Sequence, residues 1–177
     1  DKETEWKKEF LHLLPDTNLL INVRLRKLIE EKHKSVNKAE AARVAKTFPK
    51  GAAIFKTVCQ ACHGVDGNGI NSLAPPLQNS NWVLGNKNKL ISIVLYGLTG
   101  PVTVGDKVYK APEINGEMPG IESNEDFKDE DIAQVLSFIR NSWGNKAEKI
   151  SADDITNIRK KYKNRQTPFT IKELEKP

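Results

Sequence analysis

Cysteine is scarce in this sequence, and the scarcity narrows the chemistry. Only Cys59 and Cys62 occur among 177 residues. Structural zinc would want a second pair of such ligands, which the chain does not have. No β-α-β pattern surrounds the pair, so a thioredoxin-like dithiol has no setting. No apolar run approaches the roughly eighteen residues of a membrane span, and no transmembrane segment is expected. Aromatic residues make up 7% of the chain and are not interleaved with the basic ones, so no nucleic-acid partner is expected. Gly64-Val65-Asp66-Gly67-Asn68-Gly69 is rich in glycine, but no Lys-Ser/Thr follows it, which removes a phosphate-binding loop. No internal repeat or low-complexity stretch is present. The chain starts at Asp1 with neither a methionine nor a charged, apolar leader, as expected of a processed protein or an excised fragment.

What is present centres on Cys59-Gln60-Ala61-Cys62-His63. The pattern C-x-x-C-H is that of c-type heme attachment. On a helical turn the two thiols can add to the two vinyl groups of the porphyrin, and His63 is then held beneath the iron as its fifth ligand. The single methionine, Met118, stands in Gly116-Glu117-Met118-Pro119-Gly120, where the glycines and the proline predict a loop rather than a helical core face. A thioether opposite an imidazole raises the reduction potential of heme iron and suits it to electron transfer. His12 and His33 are the other possible ligands, and both sit among charged neighbours, as surface histidines do.

The net charge of +5 is unevenly spread. Residues 1–48 hold 11 basic and 8 acidic side chains, residues 49–145 hold 8 and 10, and residues 146–177 hold 9 and 5. The motif-bearing middle is therefore slightly acidic, a property that bears on encounter with partners rather than on fold. Trp6, Phe10, Leu13 and Leu14 recur at helical spacing over residues 4–14, and Pro15 ends that stretch. A second helix capped by Asp16 or Thr17 would bury Ile21, Leu25, Leu28 and Ile29. A third, from about Asn37 to Phe48, would bury Ala41, Val44, Ala45 and Phe48. Pro49 suits a helix N-terminus, and Gly51, lacking a Cβ, lets another helix cross closely. The proline pair Pro75-Pro76 has no N–H to give but keeps free carbonyls. An iron-bound histidine donates its other ring N–H to such an acceptor, a role assigned to Pro75, with Leu77 packing on the heme face.

Asn86 is expected to cap a helix from Lys87 to Tyr96, closed by Gly97. Valines around Gly105-Asp106 give a hairpin signal. Asp129, Glu130 and Asp131 open the strongest helix, with Ile132, Val135, Leu136, Ile139 and Trp143 as its buried stripe and Gly144 as its end. Ser151 and Asp154 form a capping box for a further helix. The basic run Arg159, Lys160, Lys161, Lys163 and Arg165 reads as a solvated face or as a patch for an acidic partner. Trp82 and Tyr96 are candidates for hydrogen bonds to the heme propionates, with simple core burial as the alternative.

Taken together, Gly51, Phe55, the C-x-x-C-H motif, Pro75-x-Leu77, Met118-Pro119 and a late helix with Val135 and Phe138 resemble a class I cytochrome c over residues 49–144. Further stretches are similar to cytochrome domains fused to large periplasmic, quinoprotein-type dehydrogenases. These are Ala74-Pro75-Pro76-Leu77, Asn81-Trp82-Val83-Leu84-Gly85, Gly97-Leu98-Thr99-Gly100-Pro101, residues 139–145 and Thr167-Pro168-Phe169-Thr170. The resemblance implies an all-α fold whose first and last cytochrome helices cross at nearly a right angle. It also implies three parts: a helical extension or the tail of a preceding domain at 1–48, the cytochrome at 49–145, and a helical C-terminal extension at 146–177. The implied activity is one-electron transfer through one covalent heme c per chain, ligated by His63 and Met118, and not an enzymatic one. The implied partners are a dehydrogenase domain as donor and a soluble carrier or oxidase as acceptor, in the periplasm or elsewhere outside the cytoplasm. Two other readings stay open. One is a peroxidase-like enzyme or ligand sensor with an exchangeable sixth site, which would have to use Glu113 or Glu117 on the distal side. The other is an interaction module in which the helical extensions matter most.

Overall fold

The computed structural model describes residues 19–114 and 116–176. The chain divides into two compact units, residues 1–39 and 40–177. What is described of the first belongs to one helix, α1 (Leu19–Thr47), which runs on into the second. The two helices expected between residues 16 and 48 are thus continuous, because no proline or glycine interrupts that stretch. His33 lies on α1, whereas the expected helix at 4–14 and His12 fall outside the described residues. The helix stops where Pro49 pushes the preceding residue out of the helical region, and Phe48 has φ −127° and ψ 64°.

In the second unit Pro49 opens α2 (Pro49–Ile54), which passes through a π-helical turn (Phe55–Cys59) into α3 (Gln60–His63). Across α2 lies α6 (Asp129–Ile139). A Cβ on Gly51 would overlap the backbone carbonyl of Gln134, so the two helices meet backbone to backbone. Lys50 pairs with Asp131 at this crossing, and Asp131 also accepts the Lys128 amide at 3.2 Å. Ile132, Val135, Leu136 and Ile139 are buried as expected. However, α6 ends at Ile139 rather than near Gly144. The Ser142 hydroxyl takes the Phe138 carbonyl at 2.7 Å, and the side chain competes there with the next helical amide. Trp143 then turns with φ +56° and packs its ring on Phe55 at 5.0 Å and on Phe138 at 5.8 Å.

Between these helices run α4 (Asn81–Leu84), capped by Ser80, and α5 (Lys87–Tyr96), where Asn86 accepts the Asn88 amide at 2.8 Å. The class is mainly helical rather than purely so, because five short strands are inserted among the described residues. The Val/Thr-rich stretch after Gly97, broken by glycine and proline, favours extended backbone. It forms β1 (Gly97–Thr99) and the hairpin of β2 (Val102–Val104) with β3 (Lys107–Tyr109), which turns at Gly105-Asp106. β1 is the centre of a three-stranded sheet. β4 (Met118–Pro119) pairs with it antiparallel and β5 (Phe169–Thr170) parallel. α7 (Ala152–Lys161), with its Ser151/Asp154 capping box, and α8 (Ile171–Glu175) complete the unit.

Candidate functional site

The π-helical turn delivers Cys59 half-buried and Cys62 exposed, three residues apart on one helical face, and both thiols are free. Burial, with the neighbouring Cys62 as a second cause, pushes the Cys59 thiol up to about 11, so it stays protonated at neutral pH. His63 closes α3 and is only 8% exposed. Its Nδ1 lies 3.1 Å from the Pro75 carbonyl oxygen. A carbonyl can only accept, so Nδ1 carries the proton and donates it. Burial lowers the pKa of this imidazole while the Pro75 contact opposes the shift. The ring is therefore neutral near pH 7, and Nε2 keeps its lone pair with no protein hydrogen bond among the described residues.

The loop after His63 brings Pro75 to this place. The Gly69 amide donates to the His63 carbonyl at 2.9 Å, and a Cβ on Gly69 would meet the Ala74 carbonyl at 2.5 Å. Its φ of +75° also favours glycine, so the loop doubles back only because both demands are met. Gly67 accepts the Leu77 amide at 2.7 Å and the Gln78 amide at 3.0 Å, and a Cβ there would run into the Trp143 ring. Leu77 is half-buried and packs against the core.

Met118 is half-buried and also packs on the core, but it stands on a two-residue strand rather than in the expected loop. Leu98 of β1 pairs with it. The two propionate candidates differ in what their polar atoms meet. Trp82 has one N–H, and it donates to the Thr103 carbonyl at 2.8 Å, so it is not free for a carboxylate. Tyr96 faces the C-terminal stretch, with its ring edge-on to Tyr162 and Phe169, each at 6.0 Å. Burial first, and then the negative charge of Glu122, raise its hydroxyl pKa. That hydroxyl has no hydrogen-bond partner among the described residues.

One protonated half-buried thiol, one exposed thiol and one imidazole with a free nitrogen suit a metal already held by a macrocycle. Among the described residues no group of three or more His, Cys, Asp or Glu could hold an ion by itself. Large apolar side chains gather in sequence about the motif yet stay open: Val65 is 72% exposed and Leu73 52%, with Val58 and Ile70 at 39%. An apolar group attached at Cys59 and Cys62 has a ready surface there. The sequence alone did not single out Asn145, a buried side chain bonded to Leu77 and Asn79. The one signal available was its place in the 139–145 stretch, which carried no individual role.

The family described as Cytochrome c matches residues 48–143. The cytochrome c subunit of the quinone-dependent alcohol dehydrogenase of Gluconobacter oxydans is 33% identical over 111 residues, which cover 62% of this chain and 22% of that protein. The chain thus matches about a fifth of that relative's length. The cytochrome c subunit of gluconate 2-dehydrogenase from Pantoea cypripedii is 34% identical over 116 residues, 62% of this chain and 24% of its own. Cytochrome c-552 of Thermus thermophilus is 35% identical over 130 residues, 71% of this chain and 82% of that protein.

Proposed function

The chain belongs to the cytochrome c family, and from that premise we propose that it passes single electrons through one covalent heme c held between His63 and Met118. The bound heme supplies an iron centre that accepts and returns one electron at a time. Everything else falls to the residues of the chain. Cys59 and Cys62 would hold the group covalently, each by adding its S–H across one vinyl double bond, with no oxidant needed. His63 offers Nε2 to the metal, and the Pro75 carbonyl holds the ring at a fixed angle and makes it a stronger donor. Met118 would supply a thioether ligand, which would favour the reduced metal and raise the potential. Leu77 packs beside the group and, with the apolar side chains around the motif, keeps water from it.

The observation that carries this reading is the His63–Pro75 contact beside two free thiols at C-x-x-C-H spacing. Cytochrome subunits of alcohol and gluconate dehydrogenases among its relatives support a dehydrogenase as electron donor, with a soluble carrier or oxidase as acceptor. Heme attachment at C-x-x-C-H supports a place outside the cytoplasm. Among the described residues no helix is long and apolar enough to cross a membrane. The two acids that the peroxidase-like alternative would use both have partners. Glu113 pairs with Lys107 at 3.2 Å, and Glu117 accepts the Thr99 hydroxyl. The test is absorption of the matured protein. A c-type spectrum that is low-spin when oxidised and indifferent to added carbon monoxide when reduced is expected. A colourless protein, or a high-spin spectrum that changes at once with cyanide, contradicts the proposal.

A further inference from the structure

Residues 140–145 follow α6, and through Arg140 and Asn145 they hold the segment that leads on from His63. Asn145 is 1% exposed. Its amide nitrogen donates to the Leu77 carbonyl at 3.1 Å and to the Ile139 carbonyl at 3.0 Å, and its oxygen accepts the Asn79 amide at 2.9 Å. One side chain thus ties the end of α6 to two peptides of a loop more than sixty positions earlier. The Leu77 peptide is gripped on both sides, because its amide goes to Gly67 and its carbonyl to Asn145. This matters because of the two prolines before it. Pro75 and Pro76 have no N–H, so neither can anchor itself to the loop by donation. The first backbone donor after them is Leu77. The Pro75 carbonyl is therefore held from two ends, by the Ile70–Ala74 backbone pair before the prolines and by what holds residues 77–79 after them.

We propose that Asn145 is a positioning residue for the iron's nitrogen ligand: it fixes residues 77–79, these fix the Pro75 carbonyl, and that carbonyl sets the orientation and donor strength of His63. The inference rests on His63 being that ligand. A weakened Nδ1–H···O contact makes the ring a poorer donor, which destabilises the oxidised metal. Loss of Asn145 thus moves the midpoint potential upward, whereas loss of a thioether ligand moves it down.

The experiment compares Asn145→Leu, Asn145→Asp and Ser137→Ala holoproteins with the parent. It records midpoint potential, solvent exchange of the His63 Nδ1 proton, and amide exchange at Leu77 and Asn79. Ser137 is the control, since its hydroxyl accepts the buried Ile150 amide at 2.9 Å and does not touch the 77–79 segment. Asn145→Leu is expected to raise the potential and to speed Nδ1 exchange roughly five- to tenfold, the factor for about one hydrogen bond. Asn145→Asp, neutral in this buried place, keeps the acceptor for Asn79 and one of the two donors, so it shifts in the same direction by less. Ser137→Ala loses stability and moves neither reading. If Asn145→Leu does not mature, Asn145→Asp and Asn145→Ser decide on the same measurements. Parental potential and Nδ1 exchange in the Asn145 variants would overturn the proposal, as would an equal shift in Ser137→Ala. A parent holoprotein without a histidine nitrogen on iron would instead refute the heme reading. Faster Leu77 and Asn79 amide exchange in the variants would still separate the two failures.

Discussion

The segment that holds His63 and the segment that carries Met118 are built in different ways. Residues 63–85 are stapled to the end of α6 by buried side chains. Asn145 holds Leu77 and Asn79, and Arg140, 4% exposed, donates to the Val83 carbonyl at 2.7 Å and the Gly85 carbonyl at 3.1 Å. Residues 97–119 rest instead on strands of two or three residues, paired at Gly97↔Pro119 and Leu98↔Met118, and their side-chain ties (Trp82 to Thr103, Asn81 to Gly105, Thr99 to Glu117) are exposed rather than buried. Their charged contacts, such as Lys107–Glu113, lie in solvent and contribute little. Buried side-chain staples open only with the core, while short edge pairings open locally at lower cost. The His63 segment is therefore the rigid half of the proposed site, and the Met118 segment is the half that yields first.

The largest effect should come from the rigid half. His63→Ala is expected to prevent assembly of a normal holoprotein, measured as heme-stained protein after maturation, and wild-type recovery would erase the distinction. Met118→Ala should still bear heme covalently. Its potential should fall by a substantial part of the roughly 0.8 V range open to axial ligands, and its iron should bind carbon monoxide. An unchanged potential and spectrum would remove Met118 from the site.

Phe169→Ala sharpens the comparison by attacking the Met118 segment from behind. Phe169 is 2% exposed, packs on Tyr96 and Tyr162, and pairs through β5 with the same Leu98 that pairs with Met118. The substitution should cost about 3–5 kcal/mol by denaturant unfolding. It should also quicken cyanide binding to the oxidised protein more than Asn145→Asp does. Equal cyanide rates in the two variants would mean that the halves are not separately held.

The smallest effect concerns the crossing beneath the heme motif. Burial pushes the Asp131 carboxyl up, but Lys50 and the Lys128 amide outweigh it and hold the carboxyl below its ordinary range. A depressed carboxyl stabilises the fold above its unfolded pKa of about 4, and that contribution is lost as pH falls through the lower folded value. The Tm gap between the parent and Asp131→Asn should therefore be full at pH 6 and shrink below about pH 4. A gap independent of pH would show that the pair does not titrate with folding.

The parts of the site that could be read in advance are those whose physics is local. The pentapeptide 59–63 states its own chemistry, and Asn86 and the Ser151/Asp154 box announce helix starts within four residues. Gly51 signalled a close crossing because a missing Cβ has few other uses at that place. What escaped depends on partners far along the chain. Trp82 finds the Thr103 carbonyl only after folding, so its indole N–H looked free for a propionate. Nothing local distinguishes Asn145 from a solvent-facing turn residue, and the early end of α6 follows from the Ser142 hydroxyl rather than from a breaker. The β2–β3 hairpin was signalled at Gly105-Asp106, but β1, β4 and β5 escaped the all-α expectation, since two or three residues are too few for a periodic signal.

The account stands most directly on the red end of the oxidised absorption spectrum, read on the matured parent and on Met118→Ala side by side. It predicts a weak sulfur-to-iron band in the parent that disappears in the variant while heme content is unchanged. A parent spectrum without that band, or one that keeps it after Met118 is removed, would contradict it.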